Sequence, residues 1–429
     1  MRYLIIGAGP AGVTAAETLA RTDSGADITL LCGEAGTPYA RMAIPYLLSG
    51  RIPESGTHIR PDPAHYRRLG IQLQAGRARA VQPLEHRVIL DDGRAVGYDR
   101  LLVATGSAPV LQKIPGIDLP GVHTCWTLDD ARFLLGKARP GLRVVQMGAG
   151  FVGCIIMQGL VSLQVDLTIL VRSGRMLSRM MNPESSAMIR RWCERKGVRI
   201  RVDTLPEAIT QEGGELRIHL PGGGSLPADL YLCLVGVKPA LDFLAGTGVA
   251  TGAGILVDEG MRTTVPDIFA AGDVAESRDC VTGQPLVNAI QPNATDQGRI
   301  AALNMAGRQA SSRGTFACNV LDTLGLISYS FGAWQGLPGG EHAELADPER
   351  FRYLRLEFQQ DRLVGANVVG LTEHAGVLRA LIEGKVSLGP WKQRLLQNPN
   401  LLMEAYLAQG QRQEQPYNAG GRLLARALA

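Results

Sequence analysis

Apolar and polar positions along the first fifty residues follow the order of a strand, a helix and a second strand. Residues 2–6 and 27–32 are short apolar runs that predict buried strands, and residues 10–21 between them have helical spacing. The same order returns later, with a predicted strand at 142–147, a helix at 154–163 and strands near 167–171 and 198–202. Two such units in one chain predict an α/β protein.

The pattern changes in the last quarter of the chain. Before that point, the apolar runs 101–106 and 268–273 predict two more buried strands, and the second ends in a polar turn. From about Gly314 the runs 353–358 and 363–369 are typical of paired antiparallel strands. Helical spacing returns at 373–382 and 391–407, so this part is predicted to be α+β.

A glycine-rich loop directly follows the first strand of each unit. The first loop is Gly7-Ala8-Gly9-Pro10-Ala11-Gly12, and the second is Gly148-Ala149-Gly150-Phe151-Val152-Gly153. In such a loop the first glycine makes the turn, the second lets the backbone approach a pyrophosphate, and the third allows close helix–strand packing. One loop alone is a weak signal. Two loops in strand–turn–helix context predict a protein that binds two dinucleotides and passes electrons between them.

Composition narrows the class of protein. A formal charge of +4 over 429 residues gives no case for nucleic acid as a partner. No apolar run approaches the roughly 20 residues that span a bilayer, so no membrane span is predicted. The first strand begins within three residues of Met1, which leaves no room for a signal peptide. We therefore expect a cytoplasmic protein.

The seven cysteines and seven histidines predict no metal site. The cysteines are dispersed, with no C-x-x-C pair among them, as is typical of reduced thiols in the cytoplasm. The histidines have neither H-x-x-H spacing nor a cysteine partner at ligand spacing. No iron–sulfur or haem ligand set is expected in this chain.

Five short segments in a fixed order identify a family. The first glycine loop, Tyr39-Ala40-Arg41, Ala104-Thr105-Gly106, the second glycine loop and Ala271-Gly272-Asp273 together resemble the two-dinucleotide flavoproteins. That family comprises FAD-dependent pyridine-nucleotide oxidoreductases such as ferredoxin and rubredoxin reductases and the flavin portion of nitrite reductases. The resemblance spans roughly residues 1–390.

The resemblance implies a domain organisation. Two Rossmann-like dinucleotide-binding domains, one for FAD and one for NAD(P), are expected together with a C-terminal α+β interface domain. The FAD domain is predicted to be discontinuous, at 1–112 and 240–312. The NAD(P) domain is predicted at 113–239, and the interface domain with its helical tail at 313–429.

The resemblance also assigns residues to FAD. The first loop would bind the pyrophosphate at a helix N-terminus. Glu34 would accept from the adenosine ribose hydroxyls, with a solvated turn residue as the alternative. Asp273 would accept from the ribityl chain, a role that does not exclude a helix N-cap. Arg41 would steady Tyr39, the flavin or an acidic partner, with a plain surface arginine as the alternative. The other candidates for cofactor binding are Ala78, Ala104, Thr105, Gly106, Gly272, Gln291 and Ala294.

The second loop would hold NAD(P), with Arg172 nearby, and Gly236 is a further candidate for cofactor binding. This part of the chain departs from the family pattern at two positions. Ile155 stands where a glutamate near the nicotinamide is frequent, and Val171 stands where NADH-using members commonly carry a carboxylate. The absence of that carboxylate, with Arg172 and Arg175 nearby, removes a barrier to NADPH. The choice between NADH and NADPH stays open.

Met42 is the most discriminating residue for the type of chemistry. It aligns with the redox-active cysteine of the peroxidase, oxidase and coenzyme A-disulfide branches of the family. A thioether cannot form a thiolate or attack a disulfide, so we expect no disulfide chemistry. No residue is assigned as a catalytic acid, base or nucleophile, because in this mechanism the cofactors carry the chemistry.

We therefore expect an enzyme that passes electrons between NAD(P) and a protein-bound one-electron centre by way of FAD. The partner would be an iron–sulfur protein or a metal-cofactor subunit. One specific form is the FAD subunit of a complex like the tungsten aldehyde oxidoreductases or carbon monoxide dehydrogenases. The alternatives are a self-contained NAD(P)H oxidase or small-molecule reductase, and a nucleotide-sensing flavoprotein similar to apoptosis-inducing factor.

Two features of assembly stay open at this stage. The sequence does not decide whether the chain forms a homo-oligomer. The basic amphipathic segment Arg422–Leu428 is either a docking peptide for another subunit or a frayed end.

Overall fold

The structure is a computed structural model and describes residues 1–409. The chain divides into two compact units. The N-terminal unit consists of Met1–Met176 and Gly197–Thr315, and the C-terminal unit consists of Leu177–Lys196 and the chain from Phe316 onward. The predicted amphipathic segment Arg422–Leu428 lies outside the described residues.

The helices and strands of the first half are β1 (Arg2–Ile6), α1 (Pro10–Thr22), β2 (Asp27–Cys32), α2 (Ile44–Leu48), α3 (His65–Arg68), β3 (Ile71–Ala75), β4 (Ala78–Gln82), β5 (Arg87–Leu90), β6 (Ala95–Gly97), β7 (Arg100–Val103), β8 (Ser107–Pro109), β9 (Val122–His123), α4 (Leu128–Lys137), β10 (Arg143–Met147), α5 (Phe151–Ser162), β11 (Asp166–Leu170) and α6 (Pro183–Arg195). Those of the second half are β12 (Arg199–Arg201), β13 (Ala208–Glu212), β14 (Glu215–His219), β15 (Ser225–Ala228), β16 (Leu230–Cys233), β17 (Val237–Pro239), β18 (Ile255–Leu256), β19 (Ile268–Ala270), β20 (Ala275–Arg278), β21 (Pro285–Leu286), α7 (Gln291–Met305), β22 (Cys318–Thr323), β23 (Leu326–Gly332), β24 (Glu341–Asp347), β25 (Arg352–Gln359), β26 (Arg362–Val369), α8 (Ala375–Glu383) and α9 (Trp391–Gln397).

Two five-stranded parallel sheets form the framework of the N-terminal unit. Their strand orders are β19-β7-β1-β2-β3 and β12-β11-β10-β16-β9. In both sheets the strand before the glycine loop, β1 or β10, is central, so the loop emerges at the carboxyl end of the sheet, where α/β proteins bind ligands. The near-continuous apolar runs in these strands are explained by burial on both faces. The predicted α/β class with two Rossmann-like units is confirmed.

The C-terminal unit is built on one antiparallel sheet. Its strand order is β22-β23-β26-β25-β24, and α8 packs on β23 and β26. Helix α9 ends before Pro399, and helical backbone resumes at 402–409. The predicted pair of strands is therefore present, and the predicted helical tail is present with an interruption at Pro399.

Helix α6 belongs to the C-terminal unit although its sequence lies within the predicted NAD(P) domain, 113–239. The side-chain amide of the buried Asn367 on β26 donates to the Met180 carbonyl at 2.9 Å, and its oxygen accepts from the Ser185 hydroxyl at 2.7 Å. The spacing of apolar residues in the sequence does not reveal such polar contacts between distant segments. The domain bounds given by the sequence stay a prediction.

A buried carboxylate fastens α1 to the segment that follows α2. The Glu17 carboxylate, 5% exposed, accepts from the Arg60 guanidinium at 2.6 and 2.7 Å and contacts His65 Nε2 at 2.9 Å. Burial opposes ionisation of Glu17, but the hydrogen bond and charge of Arg60 outweigh it and lower the pKa of the carboxyl. The ionised Glu17 carboxylate therefore stabilises the folded state above its unfolded pKa of about 4.5. This stabilisation is lost as the pH falls through the lower pKa that Glu17 has in the folded state.

Removing Arg60 should therefore cost more stability than removing Glu17. We expect Arg60→Met to lower the free energy of unfolding by about 3 kcal/mol, because it leaves a buried charge without its main partner. Glu17→Leu should cost less, since the Arg60 side chain is 38% exposed and can reach water. Urea unfolding of both variants at neutral pH and at pH near 4 measures the difference. Equal losses at neutral pH would contradict this account of the pair.

Candidate functional site

The first glycine loop has a backbone that only glycine permits at two positions. Gly7 has φ +108°, and a Cβ there would lie 2.3 Å from the Ala104 carbonyl oxygen. A Cβ on Gly12 would lie 1.9 Å from the Gly7 carbonyl oxygen. At Gly9, the N-cap of α1, an added Cβ has no protein atom within 4 Å. The loop is therefore closed by packing on one side and open to a ligand at Gly9.

The second loop repeats this geometry. Gly148 has φ +109°, and its Cβ would lie 2.2 Å from the Leu234 carbonyl oxygen, while a Cβ on Gly153 would lie 2.4 Å from the Gly148 carbonyl oxygen. An added Cβ on Gly150, the N-cap of α5, again has no protein atom within 4 Å. Neither α1 nor α5 has a side-chain cap, so N–H groups of both first turns are available to an anion.

A cavity of about 560 Å³ connects the first loop with the start of α5. Among the sequence-predicted residues, its lining contains Gly7, Gly9, Pro10, Ala11, Glu34, Arg41, Ala78, Ala104, Thr105, Gly106, Phe151, Val152, Gly272, Asp273, Gln291 and Ala294. Gly236 lines a small neighbouring pocket instead. Gly12, Gly148, Gly150, Gly153 and Arg172 are outside the lining of both.

Asp273 brings a carboxylate into the cavity just after β19. The Ser107 hydroxyl donates to it at 3.2 Å. Burial raises the pKa of the Asp273 carboxyl, while the Ser107 hydrogen bond and the charge of Arg41 act in the opposite direction. The position of an acceptor among apolar walls fits a sugar hydroxyl, and together with the first glycine loop it fits FAD along this cavity.

Asp273→Asn should have opposite effects on the stability of the FAD-free protein and on its affinity for FAD. Because the folded pKa is raised above 3.8, this group favours folding below its unfolded pKa, and that contribution is lost as the pH rises through the folded value. At neutral pH, asparagine should raise the melting temperature of the FAD-free protein by on the order of 1 °C. The Kd for FAD should rise about tenfold with the lost charge-assisted hydrogen bond. Thermal melting and FAD titration test this, and a lower melting temperature with unchanged FAD affinity would contradict it.

Arg41 organises one wall of the cavity. Its guanidinium forms an ion pair with Glu34 and donates to the Trp126 carbonyl at 2.7 Å and to the Tyr39 hydroxyl at 3.1 Å. It also lies 5.2 Å from the Trp126 ring centroid. The Tyr39 hydroxyl accepts from the Leu128 N–H at 3.0 Å and donates to Glu34. Arg41 thus contacts Tyr39, and its predicted role in cofactor binding stays a prediction.

This arrangement gives Glu34 two protein partners within the cavity wall. Its predicted role toward the adenosine ribose stays a prediction. Trp126 and Ser107 were missed by sequence reasoning, since they contribute through a backbone carbonyl and a single hydroxyl and belong to no motif.

The sulfur atoms that line the cavity are not poised as nucleophiles. Met42, 45% exposed, lines the cavity near Tyr39 and Arg41. Cys32 and Cys125 also line it, but burial raises the pKa of Cys32 to about 11 and raises that of Cys125 further. Both thiols are therefore protonated at neutral pH, in which state they do not attack disulfides.

Charges of both signs lie at the end of β11. Val171 is buried, and its N–H donates to the Arg201 carbonyl at 2.8 Å. Arg172 is exposed, and its role toward NAD(P) stays a prediction. Asp203 has φ +51°, and its Oδ1 lies 3.5 Å from where a Cβ on Gly174 would stand. Sequence reasoning noted the missing carboxylate at Val171 but did not consider Asp203, which follows the next strand, β12.

Two structural findings concern residues 1–409 as a whole. None of the helices in that range combines the length and apolar character that a membrane crossing needs. Within the same range, no group of three or more His, Cys, Asp or Glu side chains is arranged to hold a metal ion.

Comparison with known proteins gives consistent matches. The family model described as pyridine nucleotide-disulphide oxidoreductase matches residues 1–310. The NADH-dependent phenylglyoxylate dehydrogenase subunit epsilon of Aromatoleum evansii is 32% identical over 402 residues, which are 93% of this chain and 95% of that protein. The biphenyl dioxygenase system ferredoxin–NAD(+) reductase component of Paraburkholderia xenovorans is 34% identical over 273 residues, which are 63% of this chain and 66% of that protein.

Solved structures share the same architecture. A ferredoxin reductase from Rhodopseudomonas palustris is 26% identical, with a TM-score of 0.82 over 90% of this chain and 95% of that chain. A chain of the covalent putidaredoxin reductase–putidaredoxin complex has a TM-score of 0.87 over 95% of this chain and 99% of its own length. At 24% identity, this second likeness concerns the fold alone.

Proposed function

We propose, from the premise that the chain belongs to the family of pyridine nucleotide-disulphide oxidoreductases, that it is the FAD-bearing reductase of a multicomponent electron-transfer system. The family and the cofactor pair FAD and NAD(P) predicted from the sequence are confirmed. So is the expectation of an FAD-dependent NAD(P)H oxidoreductase. The residues assigned to each cofactor, the type of electron acceptor and the location in the cell are parts of the proposal.

One observation carries the proposal. The cavity is lined by the first glycine loop, by Phe151 and Val152 of the second loop and by Ile155 in the first turns of α5. Ligands held at the two loops can therefore meet within one cavity. The thioether of Met42 lies in its wall where a disulfide reductase would need a thiol.

The protein supplies binding, orientation and electrostatics. FAD, when bound, accepts a hydride and passes electrons on singly. The N–H groups at the start of α1 would hold its pyrophosphate, and the carboxylate of Asp273 would fix its sugar chain. The N-terminus of α7, at Gln291 and Ala294, adds a partial positive charge to the same cavity. Phe151 and Ile155 would place the nicotinamide and exclude water beside it.

The names of the relatives support a separate electron acceptor. One relative is a subunit of an NADH-dependent phenylglyoxylate dehydrogenase, and the match extends over nearly the whole length of both chains. Others are ferredoxin–NAD(+) reductase components, and one is an assimilatory nitrate reductase electron transfer subunit. We infer that this chain exchanges electrons with an iron–sulfur protein or with an iron–sulfur or metal-cofactor subunit of a larger enzyme. The tungsten enzyme complexes considered from the sequence are one form of this proposal.

The oxidase alternative has weaker support. The NADH oxidase of Methanocaldococcus jannaschii is 27% identical over 72% of this chain, below the two relatives described above. For location, we propose the cytoplasm. Within residues 1–409 no two of the seven cysteines form a disulfide, as expected where thiols are kept reduced.

Acceptor competition tests the proposed function. The FAD-loaded protein is mixed anaerobically with NADH or NADPH and then offered a [2Fe–2S] ferredoxin, a rubredoxin or oxygen. We expect rapid electron delivery to an iron–sulfur protein and slow reaction with oxygen. Faster reaction with oxygen than with either protein would overturn the proposal in favour of an oxidase. A change in oligomeric state on NADH binding, with negligible delivery to any acceptor, would favour a nucleotide sensor.

A further inference from the structure

The two glycine loops differ at one buried position. Gln146 on β10 stands two residues before the first glycine of the second loop, and Ile5 on β1 stands two residues before the first glycine of the first loop. Both side chains are completely buried, and both belong to central strands of parallel sheets. An amide thus occupies, below the second loop, the place that a hydrocarbon occupies below the first.

The Gln146 amide bridges the two ends of the second loop. Its Nε2 donates to the Gly148 carbonyl at 2.8 Å and to the Gly153 carbonyl at 3.0 Å. Gly148 opens the loop, and Gly153 lies in the first turn of α5. The amide thus ties both ends of the loop together from the buried side, while the space beside Gly150 is open.

Folding alone does not call for this amide. The first loop adopts the same backbone above Ile5, which has no hydrogen-bond donor and lies with its Cγ2 3.3 Å from where a Cβ on Gly12 would stand. Gln146 Oε1, moreover, is a buried acceptor without a hydrogen-bond partner among the described residues. Such an atom destabilises a protein. An apolar residue would fill the place without that cost.

We propose that Gln146 is a positioning residue for the nicotinamide dinucleotide. It fixes the second loop in its binding conformation before the coenzyme arrives, so less ordering accompanies binding. This inference rests on the proposed placement of NAD(P) at the second loop. The asymmetry has a functional reason: FAD stays bound through many turnovers, whereas the nicotinamide coenzyme binds and leaves in each one.

Two variants of the FAD-loaded protein test the proposal. Gln146→Leu and Gln146→Met both remove the donor, and methionine preserves the length of the side chain. We expect the calorimetric Kd for NAD+ and NADP+, and the KM for the reduced coenzyme, to rise about tenfold. The kcat and the FAD content should stay within about twofold of wild type, and the melting temperature should not fall. A purely structural role would lower the melting temperature and leave Kd unchanged.

Three outcomes would overturn the inference. Kd and KM within twofold of wild type in both variants would remove it while leaving the proposed function intact. Failure of both variants to fold would show that Gln146 serves stability. Loss of FAD with unchanged coenzyme binding would show that the loops are assigned the wrong way round, which overturns the proposed placement as well. Ile5→Leu, an apolar exchange at the matching position, is the control and should change none of these values.

Discussion

Replacing Gly150 by leucine should abolish reduction of the protein by NAD(P)H while FAD stays bound. The backbone at Gly150 has φ −79° and ψ −167°, an extended conformation that any residue adopts. An added Cβ meets no protein atom within 4 Å, so the fold accommodates it. A leucine side chain would instead fill the space through which the α5 N-terminus reaches a pyrophosphate. We expect kcat/KM for NAD(P)H to fall about a hundredfold or more, as the charge-assisted hydrogen bonds are lost.

Anaerobic rapid mixing with NADH and NADPH measures this effect, and released FAD is quantified in parallel. Gly136→Leu is the matched control, because Gly136 lies in α4 and an added Cβ there also meets nothing within 4 Å. The control should retain both FAD content and coenzyme rate. A Gly150→Leu protein that loses FAD but still binds NAD(P)+ would place the two coenzymes at the opposite loops.

The framework of the fold could be predicted because its signals are local. The buried parallel strands are continuous apolar runs, and the loops that follow them need glycine for steric reasons at Gly7, Gly12, Gly148 and Gly153. The first strand was predicted at 2–6 and the first helix at 10–21, and they lie at Arg2–Ile6 and Pro10–Thr22. Helix α6 shows where prediction from local signals fails. Its association with the C-terminal sheet depends on Asn367, nearly two hundred residues away, which no periodicity reveals.

The site could be predicted in part, for a related reason. Motif residues such as Asp273 and Thr105 line the cavity because they lie on loops whose position is fixed by the sheet. The network around Arg41 could not be read from the chain, since it is completed by Trp126 and Leu128 from another segment. The same holds for Asp203, which follows the neighbouring strand β12 and brings a carboxylate close to Gly174. Contacts made by backbone carbonyls, or by side chains from distant strands, follow no regular spacing in the sequence and therefore cannot be predicted from it.

Replacing Gly9 by leucine should give a folded protein without FAD. Gly9 caps α1 with φ −80° and ψ −175°, and an added Cβ has no protein atom within 4 Å. The substitution is thus the counterpart of Gly150→Leu at the other loop. The fold should accommodate both leucines, but Gly9→Leu should block FAD instead of NAD(P). FAD content should fall below about a tenth of wild type, because the side chain would occupy the path from the α1 N–H groups to the pyrophosphate.

The melting temperature separates a binding defect from a folding defect in this variant. A bound cofactor stabilises the folded state by mass action, so the wild-type protein should melt higher with FAD than without it. Gly9→Leu should melt like wild-type protein stripped of FAD, should not respond to added FAD, and should keep its circular dichroism spectrum. Because Gly150 and Gln146 are unchanged, the variant should still bind NAD(P)+ in a calorimetric titration. Melting well below the stripped wild-type protein would mean that Gly9 serves the fold, and loss of NAD(P)+ binding with FAD retained would exchange the roles of the two loops.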